Sequence, residues 1–225
     1  MPRQKFDLTL LPQRPNLHFE HILWGTGITR IAGIDEAGRG ALAGPVCAAA
    51  VILPNRPDLI RLLDGVNDSK KMSVQQREFW VERIQRIALS CGVGFAGAGE
   101  IDEFGIVPAT RLAAMRALAQ CRPGAQHLLI DHISLPGAGL PETSLVKGDA
   151  RSLSVACASV LAKTARDAKL RALDEKYPDY RLAQHKGYGT AQHLATIEAH
   201  GPCDEHRLSF RPFRLDADYI EDHTR

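Results

Sequence analysis

The residues best suited to chemistry stand near the start of the chain, where Asp35 and Glu36 are followed by Gly38, Arg39 and Gly40. Carboxylates are ligands for hard divalent cations. Glycines let the backbone approach another molecule closely, and an arginine side chain pairs well with phosphate. The segment predicts a metal site that faces a nucleic-acid backbone, although an acid pair before G-x-G also occurs where strands simply end in turns.

The apolar run over residues 29–34 predicts a short buried strand directly before the two acids. In a regular strand, neighbouring side chains point to opposite faces of the sheet. Asp35 and Glu36 can therefore serve one site only if the strand ends there. Gly38 and Gly40 supply the turn that this requires.

A competing interpretation uses the same letters, because residues 38–43 match G-x-G-x-x-A, the fingerprint of dinucleotide-binding folds. That fingerprint must open a helix, whereas residues 45–53 predict a second buried strand. Acids beside the loop would also repel a pyrophosphate. A dinucleotide-binding oxidoreductase is therefore the less favoured alternative.

Two further acids follow predicted strands. Asp131 closes the apolar run over residues 128–130, and Asp149 lies between a strand candidate at 144–146 and a helical pattern from Ser152 to about Lys176. Ligands of open α/β sheets bind at the carboxyl ends of the strands, so we expect Asp131 near the first acid pair. For Asp149, capping of the helix is the structural alternative.

Basic and aromatic residues stand in two polar loops. Lys70 lies in residues 66–73, and Lys186 and Tyr188 lie in residues 185–190. Cations beside an aromatic ring are typical of nucleic-acid surfaces, while solvated lysines and a surface-anchored tyrosine are the alternative. A non-catalytic nucleic-acid-binding module would use the same loops, but it would not need four converging acids.

The remaining patterns predict helices over 73–90, over 107–120 and up to about residue 200, and a third strand over 91–98. A chain of 225 residues is long enough for one buried domain. We assign residues 1–28 to an N-terminal extension and residues 29–225 to the domain, with a C-terminal helical part from about residue 178. Residues 4–8 are a candidate docking peptide for a weakly bound partner.

Composition bounds the class of protein. The net charge is +2, and no apolar run of about 18 residues and no signal segment is found, so we expect no membrane segment and a cytoplasmic location. The five cysteines are widely spaced and are expected to stay reduced. His200, Cys203 and His206 are zinc-ligand types, but no C-x-x-C motif accompanies them, and a structural zinc is not predicted.

Several segments occur together in one order: GIDEAGRG at 33–40, NDSKK at 67–71, the run closing on Asp131, KGD at 147–149, KTARD at 163–167, AQHKGYGT at 183–190 and HRLSF at 206–210. In this order, from about residue 30 to residue 213, the chain resembles the bacterial type 2 ribonucleases H. Such ordered agreement is far more specific than any single motif.

The resemblance implies a ribonuclease H-like α/β fold, with a mixed five-stranded sheet flanked by helices and a helical C-terminal part. It also implies an endoribonuclease that cuts the RNA strand of RNA–DNA hybrids and cuts 5′ of ribonucleotides embedded in duplex DNA, leaving 3′-hydroxyl and 5′-phosphate ends. Two divalent ions, Mn²⁺ or Mg²⁺, would assist the hydrolysis. We expect the protein to act as a monomer.

The resemblance also assigns roles to residues. The catalytic, metal-binding acids of the family correspond to Asp35, Glu36, Asp131 and Asp149. Its substrate-binding positions correspond to Gly38, Arg39, Gly40 and Tyr188, and we add Lys70 and Lys186 to them. Two positions depart from the pattern, because His132 and Leu208 stand where many relatives carry a small residue and an arginine.

Overall fold

The computed structural model describes residues 7, 9, 11–131 and 133–213. The strands in this part of the chain are β1 (Ile31–Ala37), β2 (Val46–Ile52), β3 (Ser90–Ala96), β4 (His127–Asp131) and β5 (Glu142–Leu145). The α-helices are α1 (His18–Gly25), α2 (Leu59–Leu62), α3 (Val74–Ile87), α4 (Ala98–Phe104), α5 (Ile106–Leu118), α6 (Gly148–Arg151), α7 (Leu153–Lys176), α8 (Leu182–His185) and α9 (Ala191–His200).

The strands form one mixed sheet in the order β3-β2-β1-β4-β5. The β1–β2 and β2–β3 pairs are antiparallel, whereas the β1–β4 and β4–β5 pairs are parallel. Since β1 and β4 run side by side in the same direction, their carboxyl ends meet at one edge of the sheet. This mixed five-stranded sheet flanked by helices confirms the predicted fold class.

Helices cover both faces of the sheet. The long helix α7 packs on one face with β1 and β2, and α5 packs on the other face with β2 and β3. The approach of α7 is very close, because a Cβ atom added at Gly33 of β1 would lie 2.2 Å from the carbonyl carbon of Ser154. Many residues of this helix are small, among them Ala156, Ala158 and Ala162, and this allows the close approach.

The expectation that the first strand ends before the acids is wrong. β1 continues to Ala37, because its antiparallel pairing with the fully buried β2 extends to the pair Ala37–Cys47. The parallel pairing with β4, however, runs only as far as Ile34 and Ile130. At Asp35 and Glu36, β1 is therefore still paired with β2 on one side, while its pairing with β4 on the other side has already ended.

The other predicted strands and helices are confirmed within a few residues at each end, but several short elements were missed. Among them, α1 brings Trp24, and its N-cap residue Leu17, into the core that α7 shares with the sheet. The buried Glu20 accepts hydrogen bonds from the Ser152 hydroxyl at 2.6 Å and from the Ser154 backbone N–H at 3.0 Å, next to the start of α7. The boundary at residue 28 stays a prediction.

Hydropathy along the helices bears on the expectation of no membrane segment. None of the helices in the described residues combines the length and the apolar character needed to cross a bilayer. The predicted cytoplasmic location and the candidate docking peptide stay predictions, and of residues 4–8 only Asp7 lies within the described residues.

Candidate active site

Three elements bring the four predicted acids to the same edge of the sheet. Asp35 and Glu36 lie on β1, and Asp131 ends β4. Asp149 lies in the first turn of α6, and the backbone N–H of Gly148 donates to Asp131 Oδ1 at 3.0 Å. This bond joins the end of β4 to the start of α6, so the third and fourth acids lie side by side.

Asp149 is not the cap of the long helix. Ser152 takes that position, since its hydroxyl accepts from the backbone N–H of Val155 at 3.3 Å. Asp149 itself is only 4% exposed, which is rare for a carboxylate without a compensating partner. The nearby charges of Asp68 and Asp131 further disfavour the ionised form of Asp149.

Burial and mutual repulsion disfavour ionisation of these acids. Burial raises the pKa of Asp35 well above its ordinary value, and the charges of Glu36, Asp131 and Asp149 add to the shift, against a hydrogen bond from Ser159. Burial also raises the pKa of Glu36 and of Asp149. A bound cation would offset the repulsion between these closely spaced carboxylates, so the cluster is suited to cation binding.

Cations of the protein reach only the rim of this acidic cluster. Lys70 Nζ lies 3.9 Å from Asp149 Oδ2, and its side chain is 77% exposed. Partial burial lowers the pKa of Lys70, but the surrounding carboxylates, Asp149 foremost, outweigh this and raise it overall. Arg39 Nη1 donates to Glu36 Oε1 at 3.3 Å. Exposed pairs of this kind contribute little to stability, so both cations remain able to contact a phosphate.

A hydrogen-bonded pair of serines supports Asp35 from α7. Ser159 Oγ lies 2.8 Å from Ser69 Oγ, and Ser159 also hydrogen bonds to the Asp35 carboxylate. Both hydroxyls are buried. Sequence analysis missed Ser159, and its only signal was a polar residue in the apolar, small-residue stretch of a helix.

The glycine turn is held from inside the protein by Arg166. Gly38 has a φ of +89°, and a Cβ atom at this position would lie 1.8 Å from Arg166 Nε. The fully buried guanidinium of Arg166 donates to the carbonyls of Pro45, Ala43 and Lys186. A side chain on residue 38 would displace this arginine, which gives Gly38 a structural role besides the predicted approach to substrate.

A second buried arginine ties the same turn to the C-terminal part. Arg207 donates to the carbonyl of Arg39 at 2.9 Å and to that of Gly44 at 2.8 and 3.0 Å. Burial and the neighbouring charge of Arg166 lower the pKa of Arg207 to about 9, so the side chain stays charged at neutral pH. Both arginines were quoted only as letters of motifs.

The tyrosine loop docks on the glycine turn. The backbone N–H groups of Leu42 and Ala43 donate to the Gly187 carbonyl at 2.7 and 3.2 Å. Tyr188 is 41% exposed, and its ring lies 5.7 Å from the Arg166 guanidinium carbon. The ammonium of Lys186 instead donates to the carbonyl of Ala183.

A cavity of about 550 Å³ lies between these groups. It is lined by Glu36, Ala37, Gly38, Arg39, Gly40, Ser69, Lys70, Arg77, Ser159, Lys163 and Tyr188. The structure thus brings the glycine turn, Lys70 and Tyr188 to one opening, as predicted for substrate contacts, while Lys186 is not among the lining residues. Lys163, which sequence analysis missed, pairs with the buried Asp167 at 2.7 Å.

The donor set suits hard divalent ions. No group of three His, Cys, Asp or Glu side chains in the described ranges could hold a metal ion by itself. Mg²⁺ is commonly held by one or two carboxylates together with water and substrate phosphates, and the paired positions Asp35–Glu36 and Asp131–Asp149 offer such oxygens. Burial and mutual repulsion keep these acids from ionising. A bound cation would offset this repulsion and favour their charged forms.

Two sequence departures have different outcomes. Leu208 is 52% exposed, and its backbone N–H donates to Asp102 Oδ2 at 2.9 Å, so its side chain faces solvent. His132 lies outside the described residues. Of the three zinc-ligand types, Cys203 and His206 are in contact, with His206 Nδ1 3.2 Å from Cys203 Sγ, while His206 Nε2 faces His193.

The fold and the site define a class of protein. A mixed α/β sheet presents buried carboxylates at the carboxyl ends of adjacent strands, beside a cavity lined by lysines, two arginines and an exposed tyrosine. This combination defines a metal-dependent nuclease of the ribonuclease H fold. The glycine turn leads into β2 and not into a helix, so the dinucleotide-binding interpretation is wrong.

Comparison with known proteins agrees with this class. The sequence model of the family "Ribonuclease HII" matches residues 32–212. The ribonuclease HII of Geobacillus thermodenitrificans is 49% identical over 198 residues, which is 88% of this chain and 74% of that protein. The chain belongs to the ribonuclease HII family, and it is a metal-dependent endoribonuclease that acts on RNA–DNA hybrids.

Solved structures show the same fold. The ribonuclease H2 from Pyrococcus horikoshii OT3 superposes with a TM-score of 0.70 at 25% identity, covering 86% of this chain and 99% of that chain. The RNase HII from Archaeoglobus fulgidus, solved as a PCNA complex, gives a TM-score of 0.67 at 26% identity over 84% and 99% of the two chains.

Proposed function

We propose that the protein cuts the RNA strand of RNA–DNA hybrids and cuts on the 5′ side of single ribonucleotides embedded in duplex DNA. The observation that carries this proposal is the meeting of the glycine turn and Tyr188 at one cavity beside the acidic cluster. These groups suit a substrate that must be recognised by its sugars and hydrolysed at its phosphate.

Hydrolysis at this site would use two divalent ions, Mg²⁺ or Mn²⁺. In such sites, two ions about 4 Å apart stabilise the attacking and the leaving oxygens of an in-line displacement. The ions would be held by Asp35, Glu36, Asp131 and Asp149, with Asp35 as the shared ligand because it interacts electrostatically with all three of the others. The serine hydroxyl of Ser159 keeps the Asp35 carboxylate in place.

Recognition of the ribonucleotide would rest on the backbone of the glycine turn. A protein distinguishes RNA from DNA through the 2′-hydroxyl, which is a small group. Gly40 has open space around the position of a Cβ atom, so its backbone can come close to a ligand without displacing protein atoms. Arg39 and Lys70 would contact neighbouring phosphates.

Tyr188 would recognise the deoxyribose that follows the ribonucleotide. An aromatic ring stacked on that sugar leaves no room for a 2′-hydroxyl. Stacking contacts are worth roughly 1–3 kcal/mol in alanine substitutions, so we expect Tyr188→Ala to weaken cleavage at an RNA–DNA junction by roughly 5- to 150-fold. Cleavage within continuous RNA should change less, and Tyr188→Phe should behave as the wild type.

The deciding experiment compares three duplexes: one with a single embedded ribonucleotide, one RNA–DNA hybrid and one all-DNA control. Each is incubated with Mg²⁺, with Mn²⁺ or with a chelator, and the ends are mapped. We expect metal-dependent cleavage 5′ of the ribonucleotide, with 3′-hydroxyl and 5′-phosphate ends. A protein that cuts the hybrid and leaves the single ribonucleotide intact would contradict the junction specificity.

Residues 4–8 remain a candidate docking segment. One solved relative is in complex with PCNA, and a clamp-type partner for this chain is a hypothesis that a binding assay can test. We expect deletion of residues 4–8 to abolish binding to such a partner without changing cleavage of a short duplex. Unchanged binding by the deletion variant would rule out this segment.

A further inference from the structure

A cluster of three histidines lies behind Tyr188 and takes no part in the proposed hydrolysis. His185 ends α8, His193 lies on α9, and His206 lies in the segment that follows. The rings of His185 and His193 stack at 4.1 Å with an interplanar angle of 20°, and His193 Nε2 lies 3.1 Å from His206 Nε2. His193 is 0% exposed and His206 is 2% exposed.

The hydrogen-bond partners fix where each proton lies. His206 Nδ1 accepts from the backbone N–H of Cys203 at 2.9 Å, so the proton of His206 is on Nε2 and is donated to His193. His193 Nε2 is then an acceptor, and its Nδ1–H donates to the Tyr188 carbonyl at 3.0 Å. A directed chain of neutral rings thus ends on the backbone of the tyrosine.

His185 holds the other side of the same loop. Its Nδ1 accepts from the backbone N–H of Gly187 at 3.2 Å, and its Nε2–H donates to the Tyr180 carbonyl at 2.7 Å. The two residues on either side of the peptide bond between Gly187 and Tyr188 are therefore each bound by a histidine ring. The Tyr188 ring itself is exposed, so the anchoring acts on the backbone and leaves the ring free for a ligand.

We propose that His193, oriented by His206, is a positioning residue that holds Tyr188 at the cavity and thereby sets the preference for RNA–DNA junctions. The role of Tyr188 in that preference rests on the function proposed above. The position of the loop is a separate matter, which can be measured without substrate.

The first test measures the loop directly, by hydrogen exchange of the full-length protein. His193→Phe keeps a ring of similar size but loses both hydrogen bonds, whereas His193→Asn keeps an N–H near the place of Nδ1. His200→Phe is the matched control, because His200 is exposed on the same helix. We expect faster exchange over residues 187–190 in His193→Phe only, with exchange in α9 unchanged.

Exchange in His193→Phe that equals the control would overturn the positioning role. Should this variant fail to fold, nitrogen NMR of the wild-type histidines decides, since the proposal requires the proton of His193 on Nδ1 and that of His206 on Nε2. The opposite tautomer of His193 would leave the Tyr188 carbonyl without its donor and would also overturn the proposal.

The second test measures specificity as the ratio of cleavage at a junction to cleavage within continuous RNA. Loss of the hydrogen bond to the Tyr188 carbonyl is expected to lower this ratio by roughly 2- to 12-fold in His193→Phe. If His193 acts through the tyrosine, the same substitution has no further effect in a Tyr188→Ala background. Independent, additive losses would show that His193 does not act through Tyr188.

The two proposals fail in distinguishable ways. If Tyr188→Ala leaves the junction ratio unchanged, the proposed role of the tyrosine in specificity is wrong, while the exchange experiment still decides whether His193 positions the loop. If Tyr188→Ala lowers the ratio and His193→Phe changes neither exchange nor ratio, the proposed function stands and the positioning role is wrong.

Discussion

At the scale of single residues, Asp35 is the acid whose pKa is raised furthest by its surroundings. It is 6% exposed, it interacts with the three other acids, and Ser159 orients it through a hydrogen bond. Burial of a carboxylate among like charges is unfavourable unless a cation compensates for it. The energetic cost of this position is understandable if Asp35 binds metal. Replacement of Asp35 then tests whether cleavage can be lost while substrate binding is kept.

Asp35→Asn is expected to reduce the cleavage rate by roughly a thousand-fold, about 4 kcal/mol of transition-state stabilisation. The change removes a metal ligand charge but leaves the phosphate-facing groups Arg39 and Lys70 in place. Affinity for an RNA–DNA duplex, measured by fluorescence anisotropy, should therefore change little. Cleavage at near the wild-type rate would remove Asp35 from the site.

At the scale of elements, two loops that are far apart in sequence form one surface. The turn after β1 and the loop before α9 are joined by backbone hydrogen bonds and by Arg166, whose guanidinium contacts both. Each glycine of the turn has a different reason to lack a side chain. Gly38 makes room for Arg166, while Gly40 faces open space.

Substitution of these two glycines should therefore give different results. Gly38→Ala is expected to destabilise the protein by more than about 2 kcal/mol, because a positive φ is unfavourable for alanine and the methyl group meets Arg166. Gly40→Ala should melt like the wild type but bind an RNA–DNA duplex more weakly. Thermal melts and binding assays on both variants test this, and a stable, fully active Gly38→Ala would refute it.

The histidine cluster of the C-terminal elements is expected to make the stability of the protein depend on pH. Burial lowers the pKa of His193 to about 4, and the titratable groups facing it and its partner His206 are His185, the Cys203 thiol and Tyr180. Unfolded histidine takes up a proton near pH 6.5. The unfolded state therefore binds more protons than the folded state between pH 6.5 and about 4, and the contribution of neutral His193 to stability is lost as the pH falls through this window.

Denaturant unfolding of the wild type and of His193→Phe at several pH values measures this contribution. The difference in the free energy of unfolding should be largest above pH 6.5 and should shrink toward pH 4. The acids with raised pKa values favour the folded state at low pH and so have the opposite effect. Since both proteins contain these acids, their contribution cancels in the difference. A difference that is constant with pH would mean that His193 titrates normally in the folded protein.

At the scale of the whole molecule, the acidic cluster opposes folding unless a metal is bound. The raised pKa values of Asp35, Glu36 and Asp149 mean that the folded state binds more protons than the unfolded state, so their destabilising effect sets in as the pH rises through the folded pKa values. Metal that binds only the folded state reverses it.

Mn²⁺ is therefore expected to raise the melting temperature, with a stabilisation of about 2.7 kcal/mol at a concentration of 100 times Kd. Asp149→Asn should melt above the metal-free wild type and should gain less from Mn²⁺, because it has lost both a repelling charge and a ligand. If Asp149 mainly served its helix, the charge at the first turn would be favourable and Asp149→Asn would melt lower. Calorimetry with and without Mn²⁺ distinguishes the two outcomes.

Local sequence patterns predicted most of the strands and the longer helices, and they singled out four acids as candidate metal ligands. Apolar periods located the strands and the long helices, and the ordered motifs predicted both the fold class and the residues that the structure brings to one edge of the sheet. Such features are local, because an apolar run, a glycine turn or a helix cap depends on neighbouring residues only.

The tertiary structure decided what depends on residues far apart in the chain. The strand carrying Asp35 and Glu36 extends past its predicted end because β2 pairs with it, which no local pattern records. The role of Gly38 follows from Arg166, more than a hundred residues later, and the histidine chain behind Tyr188 joins α9 to the segment after it. Contacts of this kind arise from packing and desolvation in the folded state, and these depend on positions that spacing along the chain does not specify.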